Sequence, residues 1–233
     1  MNIYCIIKNV FRVWLPSIRF NFHYLPFKQA VKLPVLLYKP DFRKLGGNVV
    51  IESDTITCGM IRLGFNRVNV YPDNGISWLN EGTIVFKGRV SIGSDSYILI
   101  RPNGHIIMGD DFSCSAALKM VSCIGIEFEE GVHFGWECII MDSNFHPLYD
   151  MEKKQFKKAY GKIHIGANNW FSTQCMIMHS VETPERCIFG ARSIITRGGK
   201  YESYCLHGGN PLHVLSRNVM RIYGEDQITE YKE

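Results

Sequence analysis

From about residue 84 to residue 195 the sequence keeps time in sixes. Ile92-Gly93 is followed by Ile98, and Met108-Gly109 by Cys114 and Met120. After a slip of two come Phe128, Phe134-Gly135 and Ile140. Ile165-Gly166 leads to Phe171 and Ile177, and Phe189-Gly190 to Ile195. A further small or apolar residue often sits four positions after the first, at Phe112, Val132, Cys138, Cys175 and Ser193. A half-buried strand repeats every two residues and a helix every 3.6 or so, so neither accounts for this rhythm. A period of six with a small residue behind the inward one belongs to a β-helix. Each unit is a short strand and a turn, and three units close one triangular coil. No coil buries its apolar side alone, so stacking has to supply the core. The expected fold is therefore all-β, a parallel β-helix built as a prism of hexapeptide coils.

The flanks do not keep this rhythm. Residues 1–45 are read as an irregular N-terminal cap, because "KLPVLLYKPDF" carries two prolines. Residues 46–83 are weakly periodic and serve as the start of the prism, giving a main domain over 46–215. The polar stretch 216–233 is a C-terminal tail. "SVETPER", 180–186, reads as a small insertion that interrupts the second-to-last coil.

Charge separates the same regions. Residues 1–45 hold eight Lys/Arg against one Asp, a balance of +7, while the remainder holds 18 basic and 21 acidic residues, a balance of −3. The basic, aromatic cap suits either a solvated lid over the end of the fold or contact with an anionic membrane or a lipid-linked substrate. Nucleic acid is disfavoured, because the basic bias does not extend into the main domain. No apolar run reaches the roughly 18–20 residues of a membrane span. The opening "MNIYCIIKNVFRVWLP" is broken by Lys8 and Arg12 and lacks a small-residue cleavage site, which argues against a secretory signal. The eight cysteines form no CxxC pair. Cys114, Cys138 and Cys175 occupy apolar slots of the repeat and read as small buried hydrophobes. That usage fits a reducing cytoplasm.

The repeat stops once inside the prism. The apolar run ends at Asp142-Ser143-Asn144, His146 stands before Pro147, and the rhythm resumes only at Ile163. Between them runs an excursion, 147–161, carrying Lys153, Lys154, Lys157 and Lys158. A surface histidine at a loop start is the plain reading. The chemical reading is a general base, since imidazole titrates near working pH and the proline restricts where the ring points. Asp142 and Asn144 either orient that ring or simply end the strand.

Three blocks carry a resemblance. They are "FGWECIIMDSNFHPL", "IHIGANNWFSTQCMIM" and "IFGARSIITRGGKYESYCLHGGNPLHVL", which with the preceding coils cover about residues 84–215. They resemble the hexapeptide-repeat acyltransferases, whose prism is a left-handed β-helix, in particular the galactoside/maltose and polysaccharide O-acetyltransferases. The resemblance implies transfer of an acetyl group from acetyl-CoA to a sugar or surface-polysaccharide precursor, with no metal and with His146 as the base. It places Trp170 in the acceptor pocket. Ser115 stands nearest to an Asn that the galactoside enzymes use. It assigns the acetyl-CoA groove to Ser172, Thr173, Gly190, Ala191, Thr196, Arg197, Asn210, Pro211 and His213. A backbone N–H near Ser172 and Thr173 would hold the thioester oxygen. The small residues of that groove are equally what tight coils need. It also implies a homotrimer with sites between subunits, in the cytoplasm or at the inner face of the membrane. Here "FST" replaces the family's Ile-Gly-x.

Two other classes compete with this reading. A metal enzyme on the same prism would need three histidines at fixed spacing. His133, His146, His164 and His179 offer no close His-x4-His pair. A non-catalytic scaffold would not need the His-Pro, Trp and Asn-Pro elements. Transfer to an amine of an amino sugar instead of a hydroxyl stays open.

Overall fold

The computed structural model describes residues 9–222. Three sheets of nine, seven and six strands run along one axis, and the chain visits them in turn. Phe112–Ala116 lies in the first sheet between Val90–Gly93 and His133–Trp136, parallel to both. Lys119–Ser122 sits likewise in the second sheet between Ser96–Ile100 and Ile139–Met141. Ile126–Phe128 does so in the third, between His105–Met108 and Ile163–Ile165. The expected left-handed parallel β-helix is the fold.

Parallel register stacks equivalent residues into inward columns. In the first sheet Leu63, Ile92, Cys114, Phe134, Phe171, Phe189 and His207 lie one above another. In the second the column runs Trp78, Ile98, Met120, Ile140, Ile177 and Ile195. All of these side chains are buried. The upper first-sheet column is an aromatic stack. Phe134 and Phe171 are 4.7 Å apart, Phe171 and Phe189 4.6 Å, and the rings are nearly parallel. That spacing is the strand spacing itself, about 4.8 Å, so the backbone repeat dictates the ring repeat.

The corners are equally regular. Between the first and second sheets a residue with positive φ recurs at Asp95, Ala117, Glu137, Gln174 and Arg192. Each is an L-residue in the left-handed region, at a cost of roughly 1 kcal/mol or more. Hydrogen bonds to the coil below hold the corner, as from the Gln174 amide to the Trp136 carbonyl at 2.8 Å. Gly93 shows why small residues recur: a Cβ there would stand 1.8 Å from the Ser115 carbonyl oxygen.

Three readings of the flanks change. The irregular cap is instead a wide helical turn, Val10–Trp14, followed by helices Leu15–Tyr24 and Phe27–Ala30. Pro16 sits in the first turn of the longer helix, where no N–H is needed. The prism starts before residue 46. Val35–Leu37 pairs with Ile61–Phe65, and Pro40–Leu45 with Ile76–Asn80. Those strands form the first coil, where a proline at a strand start on the sheet's edge is tolerated. "SVETPER" is no insertion: Glu182–Thr183 pairs with His164–Ile165 as a regular third-sheet strand, with Val181 and Thr183 buried. At the far end His213–Arg217 folds back antiparallel on Cys205–Gly208.

Candidate active site

One corner of the prism, from second sheet to third, builds a cleft through three successive coils. In the fifth coil the chain leaves the wall after Ile139–Met141 and makes a small hairpin, Tyr149–Asp150 against Gln155–Phe156. It returns through a bridge between Ser143 and Tyr160. In the sixth coil the same corner carries His179. In the seventh it carries Thr196 and Arg197. These residues line one cleft of about 280 Å³ with Asn144, His146, Lys157 and Lys158. The structure thus brings His146 together with Thr196 and Arg197, which lie fifty residues or more away in sequence. Arg197 and the two lysines make the cleft mouth positive.

His146 is exposed, and its amide bonds the Asn144 carbonyl at 2.7 Å. Asp142 does not reach its ring. Asp142 is fully buried and faces back into the fourth coil. Its carboxylate accepts from the amides of Cys123, Ile124 and Gly125 at 2.7, 2.8 and 2.7 Å and from the Ser122 hydroxyl at 3.0 Å. Asn144 also points elsewhere, its side-chain amide lying 3.2 Å from His179 Nε2. Neither side chain is thus bonded to the His146 ring: Asp142 holds the turn of the coil below, and Asn144 sits against a different histidine.

His179 is a site residue that sequence reasoning does not mark. It is 9% exposed, and its Nδ1 lies 3.1 Å from Ser180 Oγ. With Asn144 donating to Nε2, the ring proton belongs on Nδ1. Burial holds its pKa below the ordinary value, and Arg197 and Lys158 push it the same way. His179 is thus a neutral wall of the cleft with both nitrogens engaged. The only sequence signal for it was its place on the same corner as His146, one coil on.

A second cleft, of about 270 Å³, opens on the first sheet at nearly the same height. Trp170, Ser115, Ser172 and Thr173 line it, together with Trp136, His133, Arg67 and Arg221. Arg221 stacks on the Trp170 ring at 4.6 Å, although it lies in what reads as a polar tail. Register explains the rest: His133 pairs with Trp170 in adjacent strands. Ser113 Oγ lies 2.7 Å from His133 Nδ1. The Ser172 amide bonds the Phe189 carbonyl at 2.9 Å, so it belongs to the sheet ladder and is not free for an oxyanion. Within one chain, His146 and Trp170 therefore face different clefts.

The remaining groove residues lie at the top of the prism. Gly190 differs from the lower corner glycines, because a Cβ there would meet nothing nearer than the His207 carbonyl oxygen at 3.5 Å. A side chain at 190 would meet only ordinary van der Waals contacts, so tight packing of the coil does not account for the glycine there. Ala191 is exposed beside it. Asn210 and Pro211 form the turn of the closing hairpin, with His213 Nδ1 3.1 Å from the Pro211 carbonyl oxygen.

Among the described residues no three His, Cys, Asp or Glu side chains converge as a metal would require. The described cysteines are free thiols. Burial pushes Cys114 and Cys187 up to about 12, so neither is a thiolate near neutral pH.

The hexapeptide prism with a histidine-bearing excursion defines the class by its fold, a left-handed parallel β-helix protein. No family model matches the sequence. Over 73 residues, 31% of this chain, it is 34% identical to "Putative acetyltransferase SACOL2570" of Staphylococcus aureus (strain COL). Over 72 residues it is 31% identical to "Putative acetyltransferase SA2342" of strain N315. The matched region spans about a third of those relatives, 35% of their length. Among solved structures, the polySia specific acetyltransferase NeuO superposes with a TM-score of 0.55 at 20% identity, covering 81% of this chain and 74% of that one. That likeness carries the fold.

Proposed function

We propose that the protein transfers an acetyl group from acetyl-CoA to a hydroxyl of a glycan or glycan precursor, with His146 as the general base. One observation carries the reading: an exposed histidine on a chain excursion shares a cleft with Thr196, Arg197 and two lysines. The cations suit the phosphates of the donor, and the small side chains at Gly190 and Ala191 suit its slender arm. The short sequence matches to acetyltransferases support the same class of chemistry.

His146 takes the proton of the acceptor hydroxyl as its oxygen bonds to the thioester carbon. The carbon–sulfur bond then breaks, and the imidazolium returns the proton to the departing sulfur. Thr173 is the better-placed oxyanion donor, because its amide has no partner among the described residues while that of Ser172 is spent in the ladder. Trp170 offers a flat apolar face for sugar C–H bonds, and Ser115 lies two coils below it. His213 and Asn210-Pro211 bound the far end of the donor groove. The two clefts face different ways in one chain but stand at nearly the same coil. A threefold assembly would set the His146 corner of one copy against the first-sheet cleft of the next. Acyl donors and free thiols both fit the cytoplasm.

The test is release of CoA thiol from acetyl-CoA in the presence of a glycan acceptor, for wild type and His146→Ala. General-base loss should slow turnover by about 10²–10⁴-fold with an unchanged melting temperature. Equal turnover in the variant removes His146 from the chemistry. Mild alkali cleaves an acetyl ester and spares an acetamide, so product stability separates hydroxyl from amine acceptors.

A further inference from the structure

We propose that the N-terminal end of the prism docks on an anionic membrane surface. The helix Leu15–Tyr24 has three stripes. One is buried: Phe20 packs edge-on to Trp78 at 5.1 Å, and Asn21 bonds both backbone groups of Val35, at 2.7 and 3.1 Å. At about 100° per residue, Leu15, Ile18 and Phe22 share the opposite side, and Arg19 and His23 flank them. The apolar stripe is exposed, and it continues at both ends. Phe11 is 66% exposed and Phe27 73%. Such a run of bare aromatic and aliphatic side chains on one surface calls for a partner.

Charge selects that partner. Asp41 is the lone acidic residue among the first 45, against eight Lys/Arg. Arg19, Lys28 and Lys32 make no ion pair among the described residues. A second copy meeting this face would bring the same positive charge against it. A bilayer with acidic headgroups offers apolar depth and opposite charge together, which is what a basic amphipathic helix binds. No helix of the described chain is long and apolar enough to cross a membrane, so the contact is interfacial.

The geometry has a consequence that rests on the acetyltransferase reading. The helix packs on the first coil, and the cleft with His146 starts at the fifth. Four strand spacings set that cleft about 19 Å further from the bilayer. The acceptor then has to be a glycan that stands well off its membrane anchor, with the modified sugar several units away from the lipid.

The experiment is co-sedimentation of the full chain with phosphatidylcholine vesicles, with and without phosphatidylglycerol. Wild type should bind the anionic vesicles alone, and added salt should release it. Lys28→Gln with Lys32→Gln removes two charges and should weaken binding about thirtyfold. Ile18→Asp with Phe22→Asp should abolish binding while leaving CoA release with a soluble acceptor unchanged, which keeps this test separate from that of the enzyme reading. No binding to anionic vesicles overturns the proposal. So does binding that neither double variant weakens. So does a sedimentation coefficient that falls in Ile18→Asp/Phe22→Asp, since the stripe would then join copies of the chain.

Discussion

Two successive coils turn the same corner in opposite ways. In the fourth coil the chain passes from the second sheet at Ser122 to the third at Ile126 across three residues. In the fifth it leaves the second sheet at Met141 and does not enter the third until Ile163. Asp142 belongs to both. It is the first residue of the open corner, and its carboxylate collects the amides of the closed one below. The excursion that bears the candidate base thus springs from a rigid platform. A loop can depart without loosening the wall because its first residue is tied into the coil beneath.

The largest expected effect breaks that platform. Asp142→Ala leaves three amides, that of Gly125 buried and those of Cys123 and Ile124 partly so, without their acceptor at about 1–3 kcal/mol each, partly relieved by relaxation, while the Ser122 hydroxyl keeps its bond to the His105 carbonyl. A loss of about 3–5 kcal/mol should appear in denaturant unfolding; a loss under about 1 kcal/mol would mean the closed corner holds itself.

At the open corner the expected change is in function, with stability spared. Arg197 is exposed, so Arg197→Ala should cost about 1–2 kcal/mol of acetyl-CoA binding, near tenfold in Kd by calorimetry, with unfolding unaffected. Unchanged affinity would take the donor phosphates away from this cleft.

Protonation probes the coils above. Burial lowers the pKa of both His179 and His207 from the ordinary 6.5. Below that pH the unfolded chain takes up protons that the folded chain resists, so stability is complete above about pH 6.5 and falls as the pH drops through the window beneath it. Thermal midpoints between about pH 5 and pH 7.5 should show this slope, and His179→Gln with His207→Gln should flatten it. A slope that survives both substitutions has another source.

The smallest effect concerns a corner that never opens. Ala117 holds φ at 53°. Ala117→Gly relieves the left-handed strain and adds freedom to the unfolded chain, for a net gain of about 0.5 kcal/mol. Ala117→Val, β-branched at the same φ, should go the other way by more. Equal denaturation midpoints for the three would mean that corner strain is unimportant here.

Much of the prism was legible because the repeat is one-dimensional. Every inward residue read from the period of six, from Ile92 to Ile195, is buried. The period failed at the ends for physical reasons. Pro34 and Pro40 look like breakers in a linear reading, yet a proline at the edge of the first coil costs no ladder bond. In "SVETPER" a valine and a threonine fill the inward slots, and polar neighbours disguise them. The clefts were legible in part. His146 stood out because it interrupts a rhythm, and Thr196 and Arg197 because their block resembles that of the hexapeptide-repeat acyltransferases. His179 and Arg221 did not, because nothing local marks a residue that matters through its neighbour one coil away.

The sequence by itself determined the repeat, the inward columns and the place where the chain leaves the wall. All three follow from side-chain period and from the residues that break it, and these are properties of neighbours along the chain. Tertiary structure decided which way the polar groups at that break point. Asp142 could have served His146 or its own turn, and the three amides of the coil below settled the choice. Asn144 went to His179, a side chain of the coil above. Stacking also put His146 beside Arg197 and set Trp170 on another face. Those are relations between coils, fixed by the register of the wall, and no stretch of sequence contains them.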